Sequence, residues 1–225
     1  MTGRQRPVSE LVGAGLRFSR GGVNILRGID IDLRSGERVA LTGPSGSGKT
    51  TLMSVLAGLA EPDSGTVLLD GRPLADHGPG LRRRIGTVFQ GYALVALLTA
   101  AENVEMALVA MGLPAAEAAA RARESLTLVD LADRAEHLVE ELSGGQQQRV
   151  AVARTLAGRP DILLADEPTA EQDPAHAAQA LDAILAAADR GAAVLLATHD
   201  AKVAARCDRR LHVVDGSLAR VEVLA

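Results

Sequence analysis

The chain has 225 residues, 47% apolar and 23% charged, which is enough for one sizeable core, or one core with a lobe attached, in a soluble globular protein. Aromatics are only 1%, so Leu, Val, Ile and Ala must fill that core, and the single cysteine, Cys207, excludes an internal disulfide and reads as an inert thiol suited to a reducing cytosol. A formal net charge of −4 without a long basic stretch counts against a nucleic-acid binder, which usually presents a basic face.

Met1 to Glu10 lack the apolar centre of a signal peptide. Ile29, Ile31 and Leu33 alternate with Asp30, Asp32 and Arg34, the pattern of a strand with one wet face. Val39-Ala40-Leu41 is apolar without alternation, as in a strand buried on both faces of a parallel sheet. A helix is expected from Gly48 to Ala57, with Gly58 as its stop, and a strand over Thr66 to Leu69, with Asp70-Gly71 turning the chain. From about Gly91 to Arg159 the pattern is almost entirely helical: Pro114 opens an Ala-rich helix through Glu124, and Gly158 and Pro160 close another. The longest apolar run, Ala93 to Ala101, is too short to span a bilayer, and Glu102 and Glu105 close it off, so a soluble chain is expected. Ile162 to Ala165 and Val194 to Ala197 repeat the buried-strand pattern, each followed by a helix, Pro174 to Arg190 and Ala201 to Ala205. Leu211 to Val214 and Leu218 to Val223 flank Asp215-Gly216 as a hairpin. These patterns predict one α/β unit with two lobes: a parallel core, an antiparallel β layer and a helical insertion.

Three places carry chemistry. Gly43-Pro44-Ser45-Gly46-Ser47-Gly48-Lys49-Thr50 fits G-x-x-x-x-G-K-[ST] at every fixed position, between a buried strand and a helix. Its glycines let backbone N–H groups converge on phosphate oxygens at a helix N-terminus, Lys49 can bridge the β- and γ-phosphates, and the Thr50 hydroxyl can ligate Mg²⁺. The motif alone leaves kinase, GTPase, helicase and transporter ATPase open. Asp166 and Glu167 end the buried strand 162–165. Strand ends on that side of an open sheet hold ligands, and adjacent parallel strands would bring them beside the phosphate loop. Asp166 then suits Mg²⁺, and Glu167 suits a base for attacking water, which favours hydrolysis over transfer. Leu142 to Arg149 reads as a helix start, with Ser143 as N-cap and Gln146 completing a capping box; Gly144 and Gly145 leave the backbone open to a polyphosphate.

Leu142-Ser143-Gly144-Gly145-Gln146 resembles the LSGGQ signature of ABC ATPases, and the resemblance runs through essentially the whole chain. It implies a P-loop NTPase fold with a RecA-like parallel core, residues 1–90 and 160–225 forming the catalytic core with its β layer and 91–159 the helical signature subdomain. On their own, Phe18 suits the core, Gln90 a polar loop and His199 a cap at a strand end. The resemblance implies that Phe18 stacks on adenine, that Gln90 is the Q-loop glutamine serving metal and catalysis, that His199 is the switch histidine, that Asp173 is the D-loop aspartate and that Thr51 joins the nucleotide-binding loop. It further implies ATP and Mg²⁺ as ligands, and a homodimer in which each ATP lies between one chain's phosphate loop and the other chain's Ser143, Gly144, Gly145 and Gln146. An integral-membrane permease would be the partner, at the inner face of the cell membrane, with no nucleic acid. Gln172 stands where a leucine is common in the family, and Leu94 to Leu98 lack a proline often present there. The loop and signature look like the lipoprotein-release and macrolide-export group, with the cell-division ATPase of that group close by. A soluble or weakly hydrolysing ABC ATPase with a regulatory or cell-division role is the alternative.

Overall fold

The computed structural model describes residues 9–76, 78–89, 91–170 and 172–224. In chain order the elements are β1 (Glu10–Arg20), β2 (Val23–Arg34), β3 (Arg38–Thr42), α1 (Lys49–Leu56), β4 (Ser64–Leu69), β5 (Arg72–Pro73), α2 (Gly78–Arg82), β6 (Ile85–Val88), α3 (Ala100–Ala110), α4 (Ala115–Leu128), α5 (Gly144–Ala157), β7 (Ile162–Asp166), α6 (Pro174–Asp189), β8 (Ala193–Ala197), α7 (Ala201–Ala204), β9 (Arg209–Val214) and β10 (Ser217–Val223). They build two sheets. One is antiparallel, in the order β2-β1-β4-β5; the other runs β10-β9-β3-β8-β7-β6, parallel from β9 to β6, with β10 returning antiparallel.

The unbroken apolar runs follow from burial on both faces of that second sheet. Val39, Leu41, Ile162, Leu164, Ala193 and Leu195 enter a core shared with α1 and the antiparallel sheet. Ala40, Leu163, Ala165, Val194 and Leu196 enter the core on the other face, shared with α3, α4, α5 and α6. Each fully buried aliphatic side chain contributes roughly 1.5–3 kcal/mol relative to exposure. The strands therefore hold their C-terminal ends at fixed positions, and it is from those ends that the chemically interesting residues project.

Three expectations need correction. The order of the strands puts β8 between β3 and β7, so Asp166 and the phosphate loop do not sit on neighbouring strands. Within 91–159, residues 91–99 and most of 129–143 are not α-helical; two short 3₁₀ turns, Ala132–Arg134 and Val139–Glu141, are the only helical pieces of the second stretch. Asn103 is the reason for the first. Its buried amide nitrogen donates to the carbonyls of Val95 (3.0 Å) and Thr99 (2.9 Å), and its oxygen accepts from the N–H of Val95 (2.8 Å), so a side chain satisfies backbone that a helix would otherwise pair. The Ala-rich helix also continues past Glu124 to Leu128.

Besides the two-residue β5, two strands escaped sequence patterning. In β1, bulges near Gly13, Leu16 and Phe18 break the period of two. In β6, only four residues long, Gly86 lies so close to α5 that a Cβ there would come within 2.7 Å of the Thr155 methyl carbon, so a small residue replaces the expected aliphatic one.

Candidate nucleotide site

The loop between β3 and α1 lies tight against β9. A Cβ on Gly43 would fall 2.1 Å from the carbonyl oxygen of Val213 and 2.9 Å from the Ser47 hydroxyl, and Gly43 has φ 146°, so only glycine fits. Lys49 folds its ammonium back over the loop, donating to the carbonyls of Gly43 (2.8 Å) and Pro44 (3.0 Å). The helix that follows starts at Gly48 with no side-chain cap. Ser47 is buried and its hydroxyl has no hydrogen-bond partner among the described residues. An uncapped helix start, a poised ammonium and an orphaned buried hydroxyl in one loop fit a polyphosphate.

At the end of β7, Asp166 is 4% exposed and accepts a hydrogen bond of 2.5 Å from the Thr50 hydroxyl. Among the described residues no cluster of three His, Cys, Asp or Glu side chains exists that could cage a metal. The Thr50 hydroxyl and the Asp166 carboxylate are the kind of donors that Mg²⁺ takes, one or two protein oxygens with substrate phosphates and water completing the shell. Glu167 follows with φ 46°, an unusual backbone for a non-glycine residue. Its N–H donates to the carbonyl of Ala197 at the end of β8 (3.0 Å), and its carboxylate lies 2.8 Å from the His199 Nδ1. That hydrogen bond, followed by the carboxylate's charge, raises the His199 pKa above its ordinary value, with Asp200 adding to the effect and Lys49 opposing it.

Gly43, Ser45, Gly46, Gly48, Lys49, Thr50, Thr51, Asp166, Glu167 and His199 line one cleft of about 550 Å³, joined by Ile25 and Ala170. Pro44 and Ser47 belong to the same loop. Phe18 does not line this cleft; it is half-buried in β1 against the core between the sheets, whereas Ile25 does line it. Gln90 lies outside the described residues.

Ser143, Gly144, Gly145 and Gln146 open α5 elsewhere. Ser143 accepts from the N–H of Gln146 (3.3 Å), and the Gln146 side chain accepts from the N–H of Ser143 (2.9 Å), a complete capping box. With Arg149, Gln172, Asp173 and His176 they line a second cleft that shares no residue with the first. Asp173 caps α6 through the N–H groups of Ala175 and His176, and its hydrogen bond to the His176 ring holds its carboxyl below the usual carboxylate range. The Asp-Pro pair at 173–174 was a legible cap signal. Sequence reasoning missed Ile25 and also Gln148, a buried glutamine of α5 whose side chain donates to the Glu167 carbonyl (3.0 Å). Nothing in a lone sequence marks either.

Residues 26–170 match the family model described as ABC transporter. The chain belongs to the ABC transporter family. It is that family's ATP-binding cassette, an ATPase related to export ATP-binding proteins. It is 42% identical to the uncharacterized ABC transporter ATP-binding protein YbbA of Escherichia coli K12, over 87% of this chain and 89% of that one. It is 46% identical to the pyoverdine export ATP-binding/permease protein PvdT of Pseudomonas syringae pv. tomato, over 90% of this chain but 32% of that protein, so the cassette spans about a third of such relatives. Among solved structures, the dimeric bacterial ABC transporter cassette MJ0796 superposes with a TM-score of 0.89 at 34% identity, covering 96% of this chain and 99% of that one. The same cassette in a dimeric post-hydrolysis state bound to ADP and Pi gives a TM-score of 0.88. Among the described residues of the cassette, no helix is long and apolar enough to cross a membrane.

Proposed function

We propose that the chain hydrolyses MgATP as a head-to-tail homodimer and thereby drives a separate membrane permease from the inner face of the cell membrane. The observation that carries this reading is the presence of two clefts on one chain, one for phosphates and one at the signature helix, with no lining residue in common. A two-fold pair that sets each phosphate cleft against the partner's signature cleft builds two equal sites. The dimeric state of the MJ0796 cassette supports that arrangement. The permease assignment draws its support from PvdT and from the macrolide export protein MacB of Brucella melitensis, both named as ATP-binding/permease proteins. The roles of the two lobes follow, with residues 1–90 and 160–225 carrying the chemistry and 91–159 presenting the signature.

In this reading the loop from Gly43 to Thr50 holds the phosphates, and Thr51 lies alongside. Lys49 leaves its two carbonyls to meet the β- and γ-phosphates, so a charge-assisted contact replaces neutral ones. Thr50 and Asp166 hold Mg²⁺, with Gln90 assigned to the same ion and to the attacking water; Mg²⁺ supplies neutralisation of charge on the transferring phosphoryl group. Glu167 takes a proton from water as the water oxygen bonds to the γ-phosphorus and the bond to ADP breaks. His199 steadies Glu167 before that step and faces the γ-phosphate. Phe18 is assigned to adenine, Asp173 to the dimer seam. From the partner, Ser143 to Gln146 close over the γ-phosphate with the bare N–H groups of Gly144 and Gly145.

The test is Glu167→Gln. A general base contributes on the order of 10²–10⁴ in rate. The variant is expected to bind MgATP, lose turnover by that factor and accumulate as a dimer in size-exclusion chromatography. Hydrolysis near the parent rate overturns the assignment.

A further inference from the structure

The backbone of Glu167 is clamped on both sides of its Cα. Its N–H reaches the β8 terminus, at the Ala197 carbonyl, and its carbonyl accepts from Gln148 Nε2 at 3.0 Å. Gln148 is 2% exposed and comes from α5, the signature helix. Its own oxygen is taken by Gln172 Nε2, also at 3.0 Å, and the same Gln172 nitrogen donates to the carbonyl of Pro168 at 3.1 Å. Gln172 in turn lines the signature cleft beside Ser143 and Asp173. Its side-chain oxygen is buried with no partner among the described residues.

A left-handed backbone at a non-glycine residue persists only where its surroundings over-determine it. Here the buried amide of Gln148 does so on the carbonyl side, itself held by the half-buried Gln172. A leucine at 172 has no donor for Gln148 or for Pro168, and without Gln172 the Gln148 amide is free to rotate away from Glu167.

We propose that Gln148 and Gln172 are positioning residues for hydrolysis: an amide relay that fixes the backbone of Glu167 and ties its side-chain aim to the state of the same chain's signature cleft. The proposal rests on Glu167 being the base. Closure of a partner over the cleft bears on Gln172 first, and the relay passes any shift through Gln148 to the Glu167 carbonyl. Because the relay touches neither phosphate nor metal, it acts on turnover and not on nucleotide affinity.

The test uses the full chain with Gln172→Leu and the near-isosteric Gln148→Glu, which exchanges the Nε2 donor for an oxygen. Each is made in the parent and in Glu167→Gln. Steady-state kcat in the parent is expected to fall about five- to ten-fold, with the affinity for a fluorescent ATP analogue changed less than about two-fold. In Glu167→Gln, where no base remains to aim, single-turnover hydrolysis is expected to be the same with and without the glutamine changes, the non-additivity of residues that act as one unit. Gln172 is partly exposed, so Gln172→Leu carries the test should Gln148→Glu not fold. Unchanged kcat in the parent overturns the relay. So does an equal fold-loss in both backgrounds, which marks a merely structural role. A Glu167→Gln enzyme that turns over normally brings down the base assignment itself. A slow Glu167→Gln enzyme in which Gln172→Leu costs its full factor sinks the relay alone.

Discussion

The phosphate loop and the signature are both helix starts, yet their ends are finished in opposite ways. At α1 the N-cap is Gly48, with φ 104° and no side chain to accept from the first turn. At α5 the N-cap is Ser143, and a reciprocal capping box with Gln146 satisfies the N–H of each. A helix leaves its first N–H groups without partners inside the helix, and whatever satisfies them decides what else can bind there. The α1 end keeps its donors for an anion and adds the Lys49 ammonium; the α5 end has already paired part of its set and has only neutral groups from Ser143 to Gln146. The first end can hold a polyphosphate alone. In the proposed dimer the second end contributes when the partner delivers a nucleotide to it, and this physical asymmetry favours a paired arrangement.

The comparison breaks first at Lys49. Replacing it with alanine removes the one cation of the loop and the charge-assisted contacts it would make, each worth about 1.5–3 kcal/mol. ATP affinity is expected to fall on the order of 10²-fold or more in calorimetric titration. Equal affinity in Lys49→Ala places the nucleotide elsewhere and removes the contrast between the two helix ends.

Ser143→Arg sharpens the contrast from the other side. It fills the signature cleft without touching the phosphate cleft, so ATP binding to the single chain should persist while ATP-dependent dimers of the Glu167→Gln form disappear. Loss of the cap also costs about 1 kcal/mol of stability, which Ser143→Ala should reproduce in denaturant unfolding. Dimers that survive Ser143→Arg contradict a seam running through this cleft.

How far the sequence announced all this depended on whether function sits in local pattern or in long-range assembly. The Gly43–Thr50 loop, the Ser143 capping box and the Asp166-Glu167 strand end are contiguous in sequence and local in their physics, and each takes its expected local form. Strand order was not legible: that β8 lies between β3 and β7 depends on the packing of two cores, not on anything in residues 162–167. The 91–99 segment misled because the helical pattern there is genuine, but one buried side chain, Asn103, competes for the backbone. Gln148 was passed over because, without a structure, a glutamine inside Gln146-Gln147-Gln148 looks like any solvated helix face. Its partners, Glu167 and Gln172, are 19 and 24 residues away.

The smallest effect concerns His199, the one site group that joins the phosphate cleft from a loop beyond β8. Its side chain is 76% exposed while that of Glu167 is 16% exposed, so the pair is held mainly from the glutamate side. The hydrogen bond to Glu167 raises the histidine's folded pKa above the unperturbed value of about 6.5. Since a raised pKa means the folded state binds the proton more tightly, the pair's contribution is complete below about 6.5 and is lost as pH climbs through the raised value. Screening by solvent keeps its share of stability small, so the titration itself is the better readout. The imidazole resonances of His199, followed by NMR in the nucleotide-free protein, should give a midpoint above that of an unpaired histidine, and Glu167→Gln should bring it back down. A midpoint unaffected by that substitution separates the two side chains in solution. The phosphate cleft would then hold Glu167 through its backbone clamps alone.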